Sequence, residues 1–209
     1  MSSFTSGLPS VPLLDEGLFP PGVEISIGDI NDRESVERAV QGSKIVFHLA
    51  AKAHITNPGP ELKDVYWHVN VEGTQNLIEA CSSEGVERVV YFSSVSVYGN
   101  THGEWIDEDS PTRPHGIYAE TKLAGEKAVL AQGPGSGQPK AVVLRFPAIY
   151  GPRMKGSYPM LLKTLDHGLF LLVGHGNNRC TLVHEQDAVH AAILAARHPQ
   201  AAGRYLQRY

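Results

Sequence analysis

Three apolar runs of strand length constrain this chain more than any other feature: SKIVFHLAA (residues 43–51), ERVVYFSS (87–94) and AVVLRF (141–146). None alternates apolar with polar residues as a strand with one wet face does. Continuous apolar strands are those covered by helices on both sides, the condition of a parallel sheet. The segments between them carry helical spacing. Residues 31–39 follow Asn31 or Asp32 as a cap, with acidic residues in the first turn. Residues 65–83 place Val71, Leu77, Ile78 and Cys81 at helical intervals and stop at Gly85, and a further helix spans about 117–132. Alternating buried strands and helices predict an α/β fold, a doubly wound parallel sheet with right-handed crossovers.

The remaining segments are less regular. Residues 1–22 are rich in Ser, Pro and Gly and read as a loosely ordered lead-in, after which VEISIGD (23–29) has the texture of a short strand. Beyond Tyr150 the pattern predicts a helix over 158–167, a strand at LFLLVG (169–174), a second strand near 179–184 and a helix over 187–197. The closing GRYLQRY reads as the opening of another strand.

Composition bounds the partners. At 209 residues, with 42% hydrophobic and 19% charged residues and a net charge of -4, the chain is a globular protein of one main domain. Nothing in that balance calls for nucleic acid or an acidic membrane surface. No Lys or Arg precedes Arg33 and no apolar run reaches the length of a membrane span, so a cytoplasmic protein is expected. Cys81 and Cys180 fit no metal-ligand spacing and read as buried free thiols. His184 and His190 are six apart, not the three or four that pairs ligands on one helical face, so no metal is expected.

Chemistry enters with YAETK. Tyr118 and Lys122, four apart on a helix, share one face. A phenol of ordinary pKa about 10 is a poor base, and a neighbouring ammonium favours its phenolate, so such a pair suits proton exchange with an alcohol oxygen. The same spacing also fits a plain solvated helix face. Upstream, FSSVSVYG ends a buried strand at Ser94, where ligands bind in open α/β sheets. Ser93, Ser94 and Ser96 fit strand-end turn chemistry equally well.

The ordered series HLAAKAH (48–54), NVEGTQNLIEAC (70–81), FSSVSVYG (92–99), YAETK (118–122), LRFPAIYGPR (144–153) and LVHEQDAVHA (182–191) resembles the extended short-chain dehydrogenase/reductase family. That group includes NAD-dependent sugar epimerases and dehydratases and 3β-hydroxysteroid dehydrogenases. The resemblance implies a Rossmann-like domain over 23–150, a partial substrate-binding region over 151–209, and NAD or NADP as cofactor. It further implies Ser94, Tyr118 and Lys122 as catalytic residues, with Lys122 also on the nicotinamide ribose. Asp29 and Ile30 match the pair flanking adenine, and Leu49, Ala50 and Ala51 the segment under the dinucleotide. Asn70 matches a support for that segment, and Pro147 an approach to the nicotinamide amide. Ser96, Ala148, Arg153 and His184 fall in its substrate region. A homodimer through the Tyr118 helix is implied as well.

Two departures shape the expected activity. The family opens with a strand and a GxxGxxG turn that meets the pyrophosphate, and no such string precedes Ser43. The chain is therefore expected to lack the first βαβ elements of the fold and to end within the substrate region. That leaves three readings: a piece of an active NAD(P)-dependent oxidoreductase, a non-catalytic binding module, or a remnant that does not fold alone. Second, Val95 and Ser96 stand where the family's dehydratases carry Asp-Glu, and Ala148 stands where nucleotide-sugar enzymes carry Asn. A small-molecule secondary alcohol or ketone, sterol-like or sugar, is the expected substrate, with nucleotide-sugar epimerisation as the alternative.

Overall fold

The computed structural model describes residues 19–53, 55, 58–101, 104–131, 139–152, 154, 157–169, 175 and 180–207. Four strands form one parallel sheet. They are β1 (Ile45–His48), β2 (Arg88–Ser94), β3 (Lys140–Phe146) and β6 (Tyr205–Gln207), in the spatial order β1-β2-β3-β6. A second parallel pair joins β4 (Ala148–Tyr150) to β5 (Leu182–His184).

The period of two along the central strands decides which helix each residue meets. Val89, Tyr91 and Val143 face a layer containing α1 (Arg33–Val40), α3 (Gly73–Ser83) and α4 (Ile117–Leu130), and pack with Val36, Leu77, Ile78, Cys81 and Val129. Val90, Val142, Leu144 and Phe146 face the other side and pack on α6 (Glu185–Arg197) through Ala188, Ala192, Ala195 and Ala196. Each Val enclosed in this way contributes roughly 1.5–3 kcal/mol. Small side chains at that spacing on α6 let helix and sheet approach closely. Both α6 and β6 thus add to the main sheet, although they follow residue 151 in the chain.

Local signals act as expected at several ends. Asp32 caps α1, its side chain accepting from the Glu34 N–H at 3.2 Å. Gly85, at φ 70°, takes the left-handed turn that ends α3. Between β4 and β5 lies α5 (Ser157–Asp166), close to the expected 158–167.

Three expectations change. The segment 23–29 forms no ladder: among the described residues β1 pairs only with β2, and Ile27 is 75% exposed. Its alternation is that of a strand, but a strand exists only where another backbone takes its hydrogen bonds. The helix expected from residue 65 starts earlier, as α2 (Lys63–Trp67), and passes through a π-helical turn (His68–Glu72) before α3. Cys180 is exposed, not buried as expected, whereas Cys81 is enclosed against the sheet. The strand expected over 169–174 and most of the lead-in lie outside the described residues.

Candidate active site

The C-terminal ends of β1, β2 and β3 deliver the predicted residues to one edge of the sheet. Ser94 closes β2, and a 3₁₀ turn (Val95–Tyr98) follows, with the Ser96 N–H donating to Ser94 Oγ at 3.2 Å. That turn halts the strand and leaves the Ser94 hydroxyl facing the start of α4. Tyr118 is the second residue of that helix, and its phenol lies near enough to the Ser94 hydroxyl for that group to favour its phenolate. Lys122 stands one turn further along and is 2% exposed.

Burial governs the protonation of both. It pushes the Tyr118 phenol above its ordinary range, the Ser94 hydroxyl pulls it back, and Tyr66 adds a smaller upward push. Burial drives Lys122 down to about 7, against a raising effect of Glu126. The Lys122 ammonium lies 4.1 Å above the centroid of the Tyr91 ring, a cation–π seat. The groups that shift Tyr118 in the free chain are thus Ser94 and Tyr66, with burial as the largest cause.

Leu49, Ala50 and Ala51 leave the end of β1 as an open shelf, Leu49 being 59% exposed; they are not plain core. Asn70 fixes the shelf's far end. Its Oδ1 accepts from the Lys52 N–H at 2.6 Å, and its Nδ2 donates to the Lys52 carbonyl at 3.2 Å and to Thr121 Oγ1 at 3.0 Å. The π-helical turn contains Asn70, and such turns recur at functional sites.

Asp29 and Ile30 form the turn before α1. Asp29 Oδ1 accepts from the Asn31 backbone and side-chain N–H groups at 2.9 and 3.2 Å, and Asn76 donates to the Ile30 carbonyl at 3.4 Å. Pro147 is buried one residue beyond Phe146, which pairs in register with Ser94. Ser96 Oγ is enclosed without a hydrogen-bond partner among the described residues, and Ala148 is exposed at the start of β4. His184 is engaged elsewhere: it caps α6, accepting from the Gln186 N–H at 3.3 Å, and its ring meets Tyr150 at 5.1 Å. Arg153 lies outside the described residues.

Sequence reasoning missed a polar layer beneath these groups. His48 Nε2 and Thr74 Oγ1 lie 2.9 Å apart, and burial with the nearby Lys122 drives His48 down to about 3, so its ring is neutral. Glu126, Arg145, Ser93 and Tyr98 form a second buried set. The signal for it was present: an Arg inside the apolar run AVVLRF, and a Glu one turn beyond Lys122.

Known proteins share this arrangement of chain. Residues 10–206 match the family model described as the NAD dependent epimerase/dehydratase family. A sterol-4-alpha-carboxylate 3-dehydrogenase, decarboxylating, of Homo sapiens is 31% identical over 191 residues, spanning 88% of this chain and 49% of its own. A 3beta-hydroxysteroid-dehydrogenase/decarboxylase isoform 2 of Arabidopsis thaliana is 32% identical over 190 residues, spanning 88% of this chain and 33% of its own. Among solved structures, MoeE5 in complex with UDP-glucose and NAD superposes with TM-score 0.76 at 32% identity, over 87% of this chain and 61% of that one. The chain thus spans about half the length of the curated relatives it matches, from 33% to 61% for the first three. Among the described residues no helix is long and apolar enough to cross a membrane.

Proposed function

We propose that this chain, which belongs to the NAD dependent epimerase/dehydratase family, carries the proton-transfer site of an NAD(P)-dependent oxidoreductase acting on a secondary alcohol or ketone. The observation that carries the reading is the approach of the Ser94 and Tyr118 hydroxyls at the carboxyl ends of parallel strands, with Lys122 one helical turn away. Carboxyl ends of strands are where open α/β sheets take ligands.

The residues present fit the nicotinamide-ribose half of a dinucleotide. Lys122 and Tyr118 offer a cationic and a hydroxyl donor for ribose hydroxyls, and small Ala50 and Ala51 leave the shelf backbone accessible. No glycine-rich turn in the sequence fits the pyrophosphate. When bound, the nicotinamide supplies or accepts hydride at carbon.

The chain's own groups handle the oxygen. Tyr118 gives a proton to the nascent alkoxide, or takes it from the alcohol in the reverse direction. Ser94 donates a hydrogen bond to the same oxygen and keeps it within reach of the phenol. Lys122, when protonated, lowers the cost of charge on Tyr118 as the proton leaves. Because Tyr118 is pushed up in the free chain, it is the acid form that stands ready, which suits reduction of a ketone.

Sterol-like and sugar substrates both match the relatives' names, and the exposed Ala148 offers no polar group to a nucleotide phosphate, which favours the former. A cytoplasmic setting and a homodimer through α4, where Leu123, Ala124 and Ala128 are only half-buried, belong to the same reading. The test is transfer of deuterium from 4-deuterated NADH to a panel of cyclic ketones, followed by mass spectrometry. Incorporation that falls by roughly 100-fold or more in Tyr118→Phe is expected; equal incorporation in the variant contradicts the assignment.

A further inference from the structure

A fully buried carboxylate lies one turn behind Lys122. Glu126 is 0% exposed, and its two oxygens take the Arg145 guanidinium through Nε at 3.0 Å and Nη2 at 2.7 Å. The Ser93 hydroxyl donates to Oε1 at 2.5 Å. Arg145 also donates through Nη1 to the Tyr98 hydroxyl at 2.9 Å and stacks 4.2 Å over the Tyr205 ring.

Each member of this set adjoins a residue of the site above it. Ser93 precedes Ser94, Glu126 follows Lys122 by four positions, and Arg145 precedes Pro147 by two. Ser93 and Arg145 are also direct partners in the β2–β3 register. One carboxylate therefore ties the strand that carries Ser94, the helix that carries Tyr118 and Lys122, and the strand that leads to Pro147. Taking two charges out of water often costs more than their attraction returns, so an apolar pair of similar volume would serve stability at least as well. The charge calls for another reason.

We propose that Glu126 is a positioning residue: anchored by Arg145 and Ser93, its carboxylate fixes the Tyr118–Lys122 face of α4 against β2 and places an anion one helical turn behind the Lys122 amine.

The groups around Lys122 support this assignment. His48 from β1 is neutral, and Tyr91 from β2, Tyr66 from α2, Tyr118 on α4, Tyr98 from the 3₁₀ turn and Tyr205 from β6 are all held in their phenol form by burial. Glu126 is the charge that acts on Lys122 and shares its helix, while Glu108 acts on Tyr98 further along the layer. The consequence for catalysis rests on the proposed function, but the placement and protonation of Lys122 do not.

The test is NMR titration of the full chain labelled at lysine Cε, with the Lys122 signal assigned through Lys122→Arg and the fold checked by circular dichroism. In Glu126→Gln the Lys122 midpoint should fall by roughly one pH unit, the effect of losing an opposite charge a helical turn away. Glu126→Asp, which keeps the charge, should restore part of it. Should Glu126→Gln fail to fold, Glu126→Asp, which withdraws the carboxylate by one methylene, should by itself leave the midpoint below the parent's. An unchanged midpoint in a folded variant, or loss of the fold in both, assigns the pair to stability alone and overturns the proposal. Since no cofactor or turnover enters the measurement, a chain that ignores NAD leaves this result standing.

Discussion

Asn70 satisfies both backbone polar groups of Lys52, accepting from its N–H at 2.6 Å and donating to its carbonyl at 3.2 Å. A side-chain amide in this role imitates a neighbouring strand. It holds the shelf of Leu49, Ala50 and Ala51, which has no ladder partner among the described residues, and its third bond, to Thr121, ties the shelf to the helix of Tyr118 and Lys122. Shelf and proton-transfer face are thus fixed relative to each other through one residue that is 1% exposed.

Replacing Asn70 by Ala leaves the Lys52 backbone and Thr121 without that partner. The expected loss is about 2–3 kcal/mol in urea unfolding, from buried polar groups left unpaired. Amide exchange at Lys52 should accelerate more than exchange in β2. Equal acceleration across the sheet would show that Asn70 acts on global stability alone.

His48 makes the fold acid-sensitive. Its neutral ring is enclosed with a folded-state value of about 3 against an ordinary 6.5, so the unfolded chain binds the extra proton between those limits. Stability is untouched by His48 above pH 6.5 and falls as pH drops toward 3, by up to a few kcal/mol. A His48→Gln variant keeps a polar partner for Thr74 but does not titrate. Melting temperature measured from pH 7 to 4 should fall less steeply in the variant than in the parent; parallel slopes would contradict the assignment.

Gly125 lies directly under the Tyr91 hydroxyl, and a Cβ there would run into that oxygen and come within 3.1 Å of the Asn70 carbonyl. Gly125→Ala gains helix propensity of about 1 kcal/mol but forces Tyr91, the seat of Lys122, to move, at a cost of roughly 1–3 kcal/mol. Net destabilisation is expected, with the Lys122 titration disturbed. Tyr91→Phe, which deletes the obstructing oxygen, should recover stability in the double variant. Strictly additive effects would mean that the two residues do not meet.

The parts of the fold legible from sequence were those whose residue types leave one choice. Runs such as AVVLRF have no wet face, so they required helices on both sides, and the structure supplies α4 and α6. The segment 23–29 has equally good local texture, yet strand formation depends on a partner that residue pattern does not report. The π-helical turn escaped because an inserted residue leaves the spacing of Val71, Leu77 and Ile78 intact while turning Asn70 inward. In the site, Ser94, Tyr118 and Lys122 were found because their chemistry is recognisable in series. Glu126 and Arg145 were not, because a charged residue is by default a surface residue, and only a buried partner elsewhere in the chain makes it otherwise.

The central claim is that the face made by Ser94, Tyr118, Lys122 and the shelf at Leu49–Ala51 receives a nicotinamide dinucleotide. Titration of the purified chain with NADH, followed by calorimetry and nicotinamide fluorescence, tests it most directly. Saturable binding is predicted, weakened by roughly tenfold, about 1.4 kcal/mol, in a folded Lys122→Met variant. No heat and no fluorescence change at millimolar NADH would contradict it.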